Sequence, residues 1–330
     1  MDDIDHKLVI LISAEPRMQF RELARRLGIS RQGVHRRLNS LTEVGVIQGT
    51  TAGVSIPYLD ALPVVVFGRS RTISIEETLK KLERSELSHR VFVAGGNYIY
   101  VVGLLRKISE LNKYAEFVKL TAEMPAPTVG IYSFDSRLTF PDAARRAVDR
   151  KQGFRQLSPL DLRIIASLKG DARKSTADIA DAVGVSTRTV RRRLDDMISE
   201  GSLDLDVRSD TRLGGDMLFV THVNLREGTD KGEVGKRLLS KYPFDDASIR
   251  LFSNIPSFFM WIFWTDKIAE MRHALKEVNK DRDVVSIMPN FVYLDRMYDS
   301  WKDKLPQIRA RPAKKARARN PRAGSVLRRT

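Results

Sequence analysis

Two stretches, Arg31 to Arg37 and Thr187 to Arg193, carry the side chains best suited to recognise another molecule. In the first, Val34, Leu38 and Leu41 recur at i, i+4 and i+7, the spacing of one buried helix face. The opposite face then presents Arg31, Gln32, His35 and Arg36. Arginine can bridge O6 and N7 of guanine, and glutamine can pair with adenine. The corresponding positions of the second stretch hold Thr187, Arg188, Arg191 and Arg192. Arg37 and Arg193 lie lower on their helices, where contact with backbone phosphates is expected. These ten residues are the expected contacts to double-stranded DNA. Because the two sets differ, the two helices need not read the same half-site.

The elements around them have the order that such helices need. Ile4, Leu8, Leu11 and Ile12 follow helical spacing. A second helix over Phe20 to Leu27 ends at Gly28, suited to a left-handed cap, and Ser30 caps the third. The short Gly28-Ile29 connection is a helix-turn-helix signature. Gly45 stops the third helix, and Val46-Ile47 with the polar residues after them predict a small β-wing.

The whole unit occurs twice. Residues 4–47 lie over residues 160–203 at one offset without a gap. Arg17 falls on Arg173, Ala24 on Ala180, Gly28 on Gly184, Ser30 on Ser186 and Gly45 on Gly201. In the second copy Ser175 and Asp178 predict a capping box. Each trio of helices is followed by strand, helix, strand pair, helix, strand. The first series is Pro63–Gly68, Ile75–Ser85, Val91–Leu105 broken at Gly95-Gly96, Ile108–Ala122 and Thr128–Phe134. The second is Met217–Leu225, Lys231–Lys241, Ala247–Trp264 broken near Asn254–Ser257, Lys267–Asp281 and Val284–Leu294.

The βαββαβ order is that of a ferredoxin-like domain. The expected fold class is therefore α+β, with tandem winged helix-turn-helix domains each followed by a ferredoxin-like βαββαβ domain. The boundaries read as 1–54 and 58–135 for the first module, 136–156 for a linker, 157–210 and 214–298 for the second module, and 303–330 for a basic, disordered tail.

On these residues the chain resembles the Lrp/AsnC transcriptional regulators. The run Asp5 to Gly49 resembles their N-terminal DNA-binding domain, and "VAGGNYIYVVGLL" resembles the hairpin at their effector site. The resemblance implies a dimeric or larger assembly, or here an intrachain pseudo-dimer, that binds promoter DNA and responds to an amino acid or similar metabolite. It turns Gly95, Gly96, Asn97 and Tyr98, which otherwise read as a hairpin turn with positive φ, into the expected effector-binding residues. In the second half Asn254-Ile255-Pro256-Ser257 replaces the paired glycines, so no equivalent second site is expected.

Composition narrows the field further. The 330 residues suffice for more than one domain. There are 57 Lys and Arg against 41 Asp and Glu, a net charge of +16, which favours a polyanionic partner. Nine of the basic residues fall between Arg309 and Thr330, a stretch with no acid, and the remainder is still basic.

The chain has no cysteine, which removes thiol catalysis and thiolate metal sites and fits a reducing compartment. The five histidines show no metal spacing, no phosphate-binding loop is present, and no catalytic carboxylate pair is visible. No cofactor and no enzymatic activity are expected. The acidic start, Met1 to Asp5, lacks the pattern of a secretory leader, and Phe258–Trp264 is too short to span a bilayer. The expected location is therefore cytoplasmic, nucleoid-associated, without a membrane partner.

Two alternatives stand beside the regulator. A general chromosome-associated protein would bind DNA through charge alone. A tetrapyrrole (siroheme) decarboxylase-like enzyme resembles the same architecture, and here only His89 and Trp261 match its pattern, in different halves.

Overall fold

The computed structural model describes residues 1–133, 156–242 and 247–309. The expected linker (apart from Gln156) and the tail beyond Arg309 lie outside the described residues. The first winged unit comprises α1 (Asp3–Ala14), α2 (Phe20–Leu27), α3 (Arg31–Glu43) and β1 (Ile47–Val54). The second comprises α6 (Pro159–Ser167), α7 (Thr176–Val183), α8 (Thr187–Glu200) and β6 (Leu203–Ser209).

Local chemistry sets these boundaries. Gly28 and Gly184 cap α2 and α7 at φ 66° and 71°, a region glycine enters without strain. Ser30 and Ser186 accept hydrogen bonds from the amides of Gly33 and Thr189. The box expected at Ser175 is half formed: Ser175 accepts from the Asp178 amide, but its hydroxyl also donates to Asp178. A full box stands at Ser158 and Asp161 instead.

The wing differs from expectation. β1 does not fold back on itself. It pairs antiparallel with β6, from Ile47 opposite Ser209 to Val54 opposite Leu203, with one break in register between Ile47 and Gly49. Burial explains the exchange. Val46 and Ile47 close the core of the first unit, while Ala52 and Val54 enter the core of the second. Val207 of β6 returns the exchange by packing in the first unit's core.

Each ferredoxin-like domain has the expected order. The first holds β2 (Leu62–Arg69), α4 (Ile75–Glu83), β3 (Ser88–Ala94), β4 (Tyr98–Leu105), α5 (Leu111–Thr121) and β5 (Thr128–Ile131). The second holds β7 (Met217–Leu225), α9 (Lys231–Lys241), β8 (Ser248–Leu251), β9 (Phe258–Thr265), α10 (Ile268–Val278) and β10 (Val284–Met297).

The eight strands lie in the order β5-β2-β4-β3-β10-β7-β9-β8. β10 is long enough to pair with β7 in its own domain and then with β3 of the other. At the far ends β5 and β8 meet through a single bridge, Tyr132 to Phe252. The amides of Ser133 and Ser253 donate to Leu251 and Ile131 across the same seam. The strands thus form a closed ring around a shared interior.

That closure explains strands with no polar face. Along β2, Val64 and Val66 pack under the helices of their own domain, while Val65 and Phe67 face the shared interior. Along β9, Phe259, Trp261 and Phe263 take the first role, and Phe258 and Met260 the second. Gly130 lies at the narrow seam, where an added Cβ would sit 2.5 Å from the Phe252 ring, which is fully buried. We expect Gly130→Ala to destabilise the chain by about 1–3 kcal/mol through overpacking, read as a lowered thermal midpoint.

The C-terminal segment also departs from expectation. Residues 303–309, assigned to the tail, belong to α11 (Trp301–Arg309). The helix is held because its start is anchored. The Trp301 indole donates to the Leu104 carbonyl at 2.7 Å, and the buried Lys302 ammonium meets Asp204 at 3.2 Å. Leu305 packs against the second unit's core. α11 therefore ties the first ferredoxin-like domain to the wing ribbon and the second helical unit.

Candidate nucleic-acid interface

The third helix of each unit is fixed from behind and open in front. Val34 and Leu41 are buried, with Leu38 packed against the same core. In α8, Val190, Leu194 and Met197 do the same. Arg31, Gln32, His35 and Arg36 are exposed on α3, and Thr187, Arg188, Arg191 and Arg192 are exposed on α8. The two faces so presented hold five arginines and no carboxylate among these eight residues, a surface of one sign at a helix face shaped like a groove reader.

Arg37 and Arg193 are arranged otherwise. Arg37 Nη1 donates to Asp2 and Asp5, both at 2.7 Å, locking α3 to the start of α1. The Asp5 amide, and then Arg37, hold the Asp2 carboxyl below the ordinary carboxylate range. Arg193 lies 3.7 Å from the fully buried carboxylate of Asp161. Both guanidinium groups are engaged inside their own unit, as internal ties between the third helix and the first. The cause is the acid at the first turn of α1 and α6, a partner that the helix pattern alone does not point out.

The Gly95–Tyr98 turn joins β3 to β4. Gly96 and Asn97 take φ of 70° and 57°, as a tight reversal requires. The Asn97 side chain donates to the Thr72 carbonyl, and Arg69 Nε donates to the Gly96 carbonyl at 3.3 Å. Gly95, Gly96 and Asn97 are exposed, whereas Tyr98 is half-buried with its ring against Tyr100 and His222. The turn therefore touches both solvent and the shared interior.

In the other half, Asn254 accepts from the Ile131 amide and donates to the Val129 carbonyl. It fastens the edge of β5, a structural duty that the sequence did not disclose.

His89 and Trp261 do not meet. His89 lies on β3 near Lys302 and Asp303, and burial holds its imidazole down to about 4. Trp261 is enclosed with Phe263 in the core of the second ferredoxin-like domain. Among the described residues no group of three acidic or histidine side chains could hold a metal, and no helix is long and apolar enough to cross a membrane.

Two winged helical units with exposed basic third helices, each leading into a ferredoxin-like domain, define the class as winged helix-turn-helix proteins of the regulator type. A winged helix-turn-helix DNA-binding family model matches residues 1–48, and an AsnC-type helix-turn-helix domain model matches residues 157–198. The chain is 33% identical over 116 residues to the HTH-type transcriptional regulator Ptr1 of Methanocaldococcus jannaschii, covering 34% of this chain and 78% of that protein. It is 28% identical over 133 residues to the HTH-type transcriptional regulator LrpA of Pyrococcus horikoshii, covering 38% and 94%. The chain belongs to the Lrp/AsnC family of helix-turn-helix transcriptional regulators.

Each relative is matched over about a third of this chain but most of its own length, close to the extent of one module. Over both modules the fold is similar to the crystal structure of the siroheme decarboxylase NirDL, with a TM-score of 0.57 across 92% of this chain and 97% of that one. At 11% identity the likeness is one of fold alone.

Proposed function

We propose that the chain is a sequence-specific DNA-binding regulator in which two reading helices from one polypeptide engage neighbouring half-sites. The observation that carries this reading is the pair of exposed basic faces on α3 and α8, backed by apolar seams and joined through the β1–β6 ribbon. Arg31, Gln32, His35 and Arg36 contact one half-site, and Thr187, Arg188, Arg191 and Arg192 the other. Arginine bridging a guanine supplies discrimination, while the basic tail adds attraction to any duplex.

Gel shifts on duplexes selected from a random pool test the reading. Specific binding should exceed binding to scrambled duplex by at least about a thousandfold. A ratio near one would instead mark a general chromosome-coating protein. Removing residues 310–330 should weaken binding to selected and scrambled duplexes alike and flatten the dependence on salt. Equal slopes with and without the tail would remove its role.

The Gly95–Tyr98 turn is the proposed effector site, with exposed backbone for an amino acid's charged ends and the Tyr98 ring leading to the interior. Calorimetry with a panel of amino acids tests it, and silence across the panel would discard it. Since one chain already holds two reading helices, larger assembly is a separate matter for light scattering. The protein acts in the cytoplasm on this reading, and it is not an enzyme. Support for the last point comes from the separation of His89, which lies among Lys302, Asp303 and Arg90, from Trp261, which lies in the core of the second ferredoxin-like domain. An unchanged absorption spectrum on adding a siroheme-type tetrapyrrole is the expected result.

A further inference from the structure

The loops between α1 and α2, and between α6 and α7, grip each other symmetrically. Arg17 Nη1 donates to the carbonyls of Ala172 and Lys174 at 2.6 and 3.1 Å. Arg173 donates to the carbonyls of Pro16 and Met18 at 2.6 and 2.9 Å. The two arginines are repeat counterparts, and so are the carbonyls they hold. Arg17 reaches both oxygens from Nη1, whereas Arg173 spreads its pair over Nη1 and Nη2, a task for a planar fork rather than a point charge.

The grip reaches both neighbouring elements. Arg173 lies over the Phe20 ring at 4.8 Å, and Phe20 packs on His35 of α3 with centroids 4.2 Å apart. The Ala172 amide donates to Thr50 of the β1–β6 ribbon at 2.9 Å. The ribbon alone would leave the two units free to twist about it, since two paired strands make a pliant element. Within the first unit, α1, α2 and α3 share one core through Leu8, Leu23 and Val34, so holding the loop holds the third helix.

We infer that Arg17 and Arg173 form a reciprocal clasp that fixes the separation of α3 and α8 and thereby selects the spacing between half-sites. The inference rests on the DNA reading above, but the clasp itself can be measured without DNA. The arginines are positioning residues: they touch neither base in this scheme, and they act through the geometry they impose on the helices that do.

The absence of cysteine allows spin labels at Asn39→Cys and Asp195→Cys, exposed counterparts on α3 and α8. The label separation should be narrowly distributed in the otherwise unaltered chain and broad in Arg17→Ala/Arg173→Ala. Narrow distributions in both overturn the clasp.

The second arm uses a composite site selected by the unaltered protein, with its central spacer changed one base pair at a time across a helical turn. Moving the half-sites to opposite faces should weaken the unaltered protein by about tenfold or more. The double alanine variant should lose less than about threefold there and bind a single half-site as before. Arg17→Lys/Arg173→Lys keeps charge and bulk, serves if the alanine pair does not fold, and should show the same relaxed spacing. Retention of the sharp optimum by either folded variant overturns the link to spacing. If the unaltered protein selects no site while the labels still broaden, the DNA reading fails and the clasp stands as a purely structural lock.

Discussion

Replacing Arg31 and Arg36 together by alanine should abolish selection at one half of the bound site while leaving the other half readable. Removing one arginine from a base edge is expected to cost about 1–3 kcal/mol, so the pair should lower affinity for the selected duplex by about a hundredfold or more. Binding to scrambled duplex should fall far less, because the tail and α8 still supply charge. The fold should be untouched, as both side chains are exposed and face away from Val34 and Leu41. Selection repeated with the variant should return a site degenerate in one half. An unchanged selected sequence would take these two residues out of the interface.

Acid should destabilise this chain well before its carboxylates are protonated. His222 lies in the shared interior, 5% exposed, beside the Tyr100 hydroxyl at 2.9 Å and among the rings of Phe67, Tyr98 and Phe258. Burial lowers its pKa from 6.5 to about 4. His89 is lowered to about 4 as well, first by burial and then by the nearby Lys302 charge.

For both groups the unfolded chain takes up the proton first. Stability is therefore whole above pH 6.5 and declines as the pH falls toward 4. At 1.36 kcal/mol per pKa unit, each histidine costs the fold about 3 kcal/mol by the lower limit. Chemical denaturation between pH 7 and 4.5 should show the decline, and His222→Phe should flatten it, whatever its stability at pH 7. An identical slope in that variant would show that the His222 imidazole takes up its proton as readily in the folded chain as in the unfolded one.

Much of the architecture was legible because it is written locally. The caps at Ser30 and Ser186 and the glycines at 28 and 184 act within a turn of where they stand, so spacing alone located the helices. The alternation along β2 and β9 was masked by burial on both sides, yet their apolar runs still read as strands.

What escaped was whatever depends on the other half of the chain. Residues 47–54 carry no sign that Ala52 and Val54 belong to a core built by residues 157–203, in the other half of the chain. Arg37 looks like any exposed helical arginine until Asp2 and Asp5 are folded beside it. Trp301 hides its partner, the Leu104 carbonyl, for the same reason. The pairing of Arg17 with Arg173 was visible as a repeat match, and an arginine repeated at the same place in both loops was the available signal for the contact between units.

The ring of eight strands is built from two domains that share one topology yet differ in sequence. A two-fold dimer of identical subunits cannot tell upstream from downstream, since turning it end over end restores the same molecule. Here the turned molecule is a different one, with Thr187 and Arg188 standing where Arg31 and Gln32 stood. A chain so built can seat itself on a promoter in a single orientation, and polarity along the duplex becomes a property that the protein itself can impose.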